Sequence, residues 1–456
     1  MTDPHPGDPA APALFTDLYQ LTMAQAYVAE GMAAREATFS TFFRALPPQR
    51  NYLLACGLDT VLSHLESMRF DAAAIAYLTS LDCFTPAFLD WLRDFRFTGD
   101  VCAVAEGTPV FPHEPVLEIT APIAEAQLVE TFVLNQIHLQ TLLASKAARV
   151  VAAARGRPVV DFGARRIHGV DAAVKAARAF AIAGVAATSN VLAGQTWGLP
   201  VIGTMAHSYV QASASEIDAF RTFARRYPGT TLLVDTYDTQ DGVRNVIRLA
   251  RELGTAFTVQ AIRLDSGDIA SLAVAARRLL DDAGLQRVQI FASGGLDEFS
   301  VARIVDAGAP VDAFGVGTRM GVSDDAPALE IVYKLTAFAG SGRLKLSPGK
   351  AVLPGRKQVW RGDGDIADGD LLGRYDESQP GRPLLHTVMI GGRRTAPSGV
   401  VALDTARAHA AAEIARLPEA IRNLAPAPTP YPVRISPALR AFEREVEQSV
   451  LARHAV

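Results

Sequence analysis

A chain of 456 residues, 49% hydrophobic and 20% charged, can bury a large core and is not disordered in bulk, and its formal net charge of −4 argues against a nucleic-acid partner. Three scattered cysteines, Cys56, Cys83 and Cys102, make neither a disulfide framework nor a four-cysteine zinc site, and they suit a reducing compartment. No uncharged apolar run reaches the roughly 18 residues of a membrane span, so a cytoplasmic enzyme with no membrane attachment is expected.

Residues 1–13, with Pro and Asp but neither Lys nor Arg, read as a disordered tail rather than a targeting peptide. An N-terminal mixed α/β domain is expected over 14–155. It opens on FTDLYQLTMAQAYVAEG at 15–31, where Leu18, Leu21, Ala24 and Tyr27 keep helical spacing. Thr16 or Asp17 can cap that helix and Gly31 can end it. EATFSTFFR reads as a strand, 51–100 as mostly helical, 101–120 as short strands split by Pro and Gly, and 124–155 as a long helix.

From about residue 158 the rhythm changes to short apolar runs, each followed by a helix-like segment. The runs are VVDF at 159–162, AGVAATS at 183–189, PVIGT at 200–204, TLLVD at 231–235, VQAIRLD at 259–265, VQIFAS at 288–293 and VDAFGV at 311–316. Seven βα units predict an α/β catalytic domain over 156–337, an irregular or incomplete (β/α) barrel. An open doubly wound sheet is the alternative, although no GxGxxG follows an early strand. Residues 338–456 are read as strands that join the N-terminal domain, plus peripheral helices at 404–422 and 435–454.

Barrels carry their chemistry at the C-terminal ends of the strands. Nearly every run here ends in a polar or glycine cluster. Ser293-Gly294-Gly295 and Gly317-Thr318-Arg319 lie on consecutive late strands, where glycine lets backbone N–H groups approach a phosphate. The competing reading is a pair of ordinary tight turns. Arg263 and Asp265 stand at i, i+2, so both can face the mouth; Arg suits a phosphate and Asp265 a sugar hydroxyl or Mg²⁺. The alternative is a buried ion pair with Asp268 as a helix cap. Asp235 and Asp238 read first as caps. Phe162 and Arg165 offer an aromatic face and a cation for a planar anionic ring, or else a core Phe beside a surface Arg. His207 follows a small-residue strand end and can be structural or, beside phosphate loops, a phosphoryl acceptor.

Eight ordered motifs over about residues 14–362 carry a resemblance: FTDLYQLTMAQAY, FGARR, GTMAHSYVQA, LLVDTYDT, IRLDSGD, FASGGLDE, FGVGTRM and SPGK…LPGRKQVWR. Together they resemble bacterial nicotinate phosphoribosyltransferases, of the type II phosphoribosyltransferase family. The resemblance implies transfer of phosphoribosyl from 5-phosphoribosyl-1-pyrophosphate to nicotinic acid, giving nicotinate mononucleotide and pyrophosphate, in NAD biosynthesis. It implies ATP as co-substrate, Mg²⁺ as cofactor and a homodimer with shared active sites.

By the same resemblance His207 is transiently phosphorylated, and Arg263 and Asp265 handle the phosphoribosyl pyrophosphate. Phe162 stacks on the pyridine opposite Tyr19 of the other subunit, and Arg165 takes the carboxylate. Ser293, Gly294, Gly295, Gly317, Thr318 and Arg319 hold the 5-phosphate, and Asp235, Asp268, Lys345 and Lys350 are further phosphate or Mg²⁺ contacts. Asn190 stands where nicotinamide-using relatives carry Asp, which favours the acid. With no cysteine after Cys102, no structural metal is expected. A nicotinamide phosphoribosyltransferase and a sugar-phosphate barrel enzyme are the alternatives. The second needs a catalytic lysine on a strand, and none of the seven runs ends in Lys.

Overall fold

The computed structural model describes residues 13–347, 352–362, 369–395 and 400–454 and divides into two compact units. The first comprises Met1–Ser145 and Asp325–Val456, the second Lys146–Asp324. The expected tail thus falls, but for Ala13, outside the described residues.

The first unit is built on a seven-stranded sheet. Its inner strand Glu36–Phe43 is buried from Ala37 onward and pairs antiparallel with Ile331–Phe338 on one side and with the central strand, Pro115–Pro122, on the other. Residues 325–337 therefore belong to this unit, which differs from the expected boundary at 337. Their apolar pattern marks a strand, but nothing local says that its partner lies some 290 residues upstream. Leu385–Ile390 joins the same sheet beside Asp100–Val104. Segment 51–100 forms three helices, Leu58–Ser67, Ala72–Ser80 and Pro86–Arg93; Asp71 and Thr85 cap the last two through their side chains. The opening helix spans Leu18–Ala29 without a side-chain cap, because Asp17 accepts the Thr131 hydroxyl at 2.7 Å instead.

A fully buried ion pair links two neighbouring strands, Lys357–Arg361 and Asp370–Arg374, of a separate four-stranded sheet in this unit. Arg361, on Lys357–Arg361, donates to Asp370 at 2.6 Å and to the Pro109 carbonyl at 2.9 Å, and Tyr431 donates to the same carboxylate at 2.8 Å. Both charged side chains are 0% exposed. Arg361→Ala leaves Asp370 buried without its counter-charge, so a loss of about 3–5 kcal/mol is expected in denaturant unfolding. A loss under about 1 kcal/mol would show that the carboxyl simply protonates.

The second unit holds six parallel strands: Val159–Asp161, Ala187–Thr188, Thr231–Leu233, Ala261–Leu264, Gln289–Ala292 and Ala313–Val316. In space Ala187–Thr188 is at one edge, followed by Val159–Asp161, Ala313–Val316, Gln289–Ala292 and Ala261–Leu264, with Thr231–Leu233 at the far edge. The seventh expected strand, PVIGT, is reduced to a single bridge between Val201 and Thr188. Pro200 has no N–H to donate and Gly203 packs no side chain, so that run cannot sustain a ladder. The ring is thus open between Val201 and Thr231–Leu233. It still curls, because His207, beyond the Val201 edge, reaches Thr236, beyond the opposite edge, at 3.1 Å.

Candidate active site

The strand Ala261–Leu264 places the charged centre. Arg263 lies within it and Asp265 just past its end, and strand alternation points both the same way. The Asp265 carboxylate is the hub. Oδ1 accepts from the Ser293 hydroxyl at 2.5 Å and lies 3.7 Å from Arg263 Nη2. Oδ2 lies 3.7 Å from His207 Nε2. Asp235 steadies this residue from the neighbouring strand, since its Oδ2 accepts the Asp265 backbone N–H at 2.8 Å and the Ser266 hydroxyl at 2.7 Å. Asp235 is therefore a cross-strand brace rather than a helix cap; the caps are Asp238 and Asp268. Asp268 uses both carboxylate oxygens on Ser271.

Arg263 is mostly buried and donates through Nη1 to Thr204. Its Nε is buried with no hydrogen-bond partner, as is Asp235 Oδ1. Burial pushes the guanidinium below its ordinary pKa; Asp265 and Asp235 oppose that and Arg165 adds to it. Arg165, exposed on the turn after Phe162, is thus within electrostatic reach of Arg263.

Both glycine loops are shaped by contact. Gly294 sits at φ +90°, and a Cβ there would lie 1.7 Å from the Asp265 carbonyl oxygen. A Cβ on Gly317, in the second loop, would lie 3.0 Å from the Phe162 carbonyl oxygen. The helix Glu298–Asp306 starts just after the first loop and is capped by Asp297, and Gly317 precedes the short helix Thr318–Gly321. Arg319 donates to Asp297 at 2.6 Å, so an ion pair ties the two loops together.

Phe162 is half-buried, its ring 5.7 Å from that of Phe291. Behind it Asp161 is buried and accepts from Gly163 N–H and Thr188 Oγ1, both at 2.7 Å. Burial raises its pKa, and those two bonds oppose the rise. Asn190 caps the helix Val191–Trp197 through Oδ1, which accepts the Ala193 N–H at 3.2 Å. Tyr19 and Lys345 belong to the first unit and are exposed; the Tyr19 phenol is pushed up to about 12, by burial first and then by Glu130 and Asp17. Lys350 lies outside the described residues.

His207, Arg263, Asp265, Asp235, Ser293 and Gly294 are therefore brought together in one unit. Sequence reasoning missed Thr204 and Thr236, the hydroxyls that hold Arg263 and His207. The only available signal was a threonine beside each strand-end cluster. Among the described residues no group of three or more His, Cys, Asp or Glu is placed to hold a metal ion, and no helix is long and apolar enough to cross a membrane.

Comparison with known proteins bears on what this centre serves. Residues 14–138 match the sequence model of the nicotinate phosphoribosyltransferase N-terminal domain, 158–363 that of the nicotinate phosphoribosyltransferase family, and 381–443 that of its C-terminal domain. The chain is 55% identical to nicotinate phosphoribosyltransferase pncB2 of Mycobacterium tuberculosis, over 97% of this chain and 94% of that protein. It is 41% identical to the nicotinate phosphoribosyltransferase of Bacillus subtilis, over 80% of this chain and 76% of the relative. The crystal structure of human nicotinic acid phosphoribosyltransferase superposes with a TM-score of 0.84 at 29% identity, covering 94% of this chain and 99% of that one.

Proposed function

The chain belongs to the nicotinate phosphoribosyltransferase family, and from that premise we propose that it transfers the phosphoribosyl group of 5-phosphoribosyl-1-pyrophosphate to nicotinic acid, with ATP hydrolysis coupled through phosphorylation of His207. The product, nicotinate mononucleotide, leads to NAD. The observation that carries this reading is the Asp265 carboxylate, 3.7 Å from both the His207 imidazole and the Arg263 guanidinium, beside a glycine loop.

The chemistry follows from charge. The pyridine nitrogen attacks C1 of the ribose through its own lone pair, so no general base is required. C1 becomes cationic as pyrophosphate departs, and Asp265 is the carboxylate to offset that charge. Arg263, with a buried unpartnered Nε, takes the leaving anion. Gly294 and Gly295, with the loop at Gly317, bring backbone N–H groups to the 5-phosphate.

Asp235, whose Oδ1 is buried and unpartnered, and Asp265 would be the carboxylates to hold Mg²⁺ at this centre. Its contribution is to offset charge on the leaving group. Phe162 is the stacking face for the ring, with Tyr19 supplied by a second copy in a homodimer, and Arg165 is the carboxylate donor. With Oδ1 committed to its helix, Asn190 offers a ligand its Nδ2 donor, which suits a carboxylate.

Pyrophosphate release is expected only when nicotinate and 5-phosphoribosyl-1-pyrophosphate are both present, with nicotinamide a poor competitor. ATP is expected to leave acid-labile phosphate on the wild type and none on His207→Ala. Equal use of nicotinamide would replace the acid reading by the amide one, and unchanged ATP turnover in His207→Ala would remove the histidine from the coupling.

A further inference from the structure

We propose that Asp161 is a positioning residue for the pyridine-ring pocket: its carboxylate holds the turn that carries Phe162 and Arg165 in fixed relation to the loop that carries Asn190. The inference deepens the assignment of those three residues to nicotinate and rests on it.

Asp161 ends the strand Val159–Asp161, and its register partner on the neighbouring parallel strand is Thr188. Side chains of register partners stand on the same face of a sheet, so the two meet. The backbone at each end fixes the direction of every bond. The Gly163 N–H can only donate, and it donates to Asp161 Oδ1 at 2.7 Å. The Asn190 N–H likewise donates to Thr188 Oγ1 at 3.0 Å. The Thr188 hydroxyl proton then goes to Asp161 Oδ2 at 2.7 Å.

Each bond bears on a residue of the pocket. The Gly163 carbonyl accepts the Arg166 N–H at 2.8 Å and the Ile167 N–H at 3.2 Å, which closes the turn from which Arg165 extends. On the other strand, Asn190 is held by Thr188 through its N–H and caps the next helix through its side chain. The Ser189 N–H adds a bond to the Asp161 carbonyl at 2.9 Å. One side chain therefore sets the spacing between the cation and the amide that face the ring's carboxylate.

The acidic group itself is informative. Asp161 is 1% exposed, and only those two hydrogen bonds offset the cost of burying its charge, with no cation contributing among the described residues. An amide of the same shape would bury no charge. It could not replace the carboxylate, because two donors converge here and only a carboxylate accepts on both oxygens.

Steady-state kinetics on Asp161→Asn, Thr188→Val and Thr188→Ser test this, with circular dichroism to confirm that each variant folds. Asp161→Asn leaves the Thr188 hydroxyl proton without an acceptor, and Thr188→Val leaves the Asn190 N–H without one. Both are expected to raise the KM for nicotinate roughly five- to hundredfold, the effect of a buried donor left unpaired, and to lower the preference for nicotinate over nicotinamide. The KM for 5-phosphoribosyl-1-pyrophosphate should stay close to its wild-type value, and Thr188→Ser, which restores the hydroxyl, should bring the nicotinate KM back. Equal rises in the two KM values, or an unchanged nicotinate KM in the folded variants, overturn the proposal. If Asp161→Asn does not fold, the Thr188 pair decides. A wild type inactive with nicotinate removes the pocket assignment and this inference together, whereas an active wild type with unmoved variants removes this inference alone.

Discussion

Arg263→Ala is expected to lower kcat/KM for pyrophosphate release by about 10²–10³-fold, the usual effect of removing a preorganised donor from a charged transition state. The ground is the state of the guanidinium. It is mostly buried, its pKa is pushed down by that burial, and its Nε has no partner. Asp265 stands 3.7 Å away, beyond a close ion pair, and shares its carboxylate with Ser293 at 2.5 Å. A buried cation with spare donors gains most from an arriving anion. Arg263→Lys keeps the charge but loses the planar fork, so it should recover only part of the rate. Steady-state kinetics on both variants check this, and a loss below about tenfold in Arg263→Ala would take Arg263 out of the pyrophosphate site. The fold should survive, since Thr204, the residue left behind, is a neutral hydroxyl that is half-buried.

The same residues show what was legible in the sequence. Arg263 and Asp265 could be paired because strand period is local, and Ser293-Gly294-Gly295 could be read as a close-approach loop because only glycine tolerates its geometry. Each signal lies within three consecutive residues. Thr204 and Thr236 were not legible, because their partners are 59 and 29 positions away and a threonine after a strand has many uses. The cap reading of Asp235 fails for a related reason. An Asp before a helix-like segment reads as a cap, yet Asp238 takes that place and frees Asp235 to bind the next strand end. Arg319 has a second partner that was equally hidden: sequence marks it as a phosphate ligand, and the structure adds Asp297 on the companion loop, to which it donates. At the level of fold, the parallel strands were visible because each is followed by its own helix. The pairing of Ile331–Phe338 with Glu36–Phe43 was not, since antiparallel partners far apart in sequence leave no local period.

Gly294→Ala is expected to raise the KM for 5-phosphoribosyl-1-pyrophosphate and lower kcat, with kcat/KM falling by about 10²-fold or more, the scale of a misplacement near 1 Å. Two constraints act at this position. Its φ of +90° is a conformation that L side chains rarely adopt, and the added Cβ would lie 1.7 Å from the Asp265 carbonyl oxygen. Neither neighbour can yield cheaply. The contact atom is backbone, and the Asp265 N–H is anchored on Asp235 at 2.8 Å. Relief must come from moving the glycine loop or the Asp265 loop, and either movement opens the Ser293–Asp265 hydrogen bond of 2.5 Å. Gly295→Ala separates this mechanism from general loop strain. Gly295 also has positive φ, +63°, but a Cβ there meets nothing within 4 Å. It should therefore cost about 1 kcal/mol of local strain and at most tenfold in kcat/KM. If the two alanine variants lose activity equally, backbone strain alone is responsible and the close approach of Gly294 to Asp265 has no catalytic consequence. A large loss confined to Gly294→Ala means that the phosphate loop and the charged centre work only while they touch.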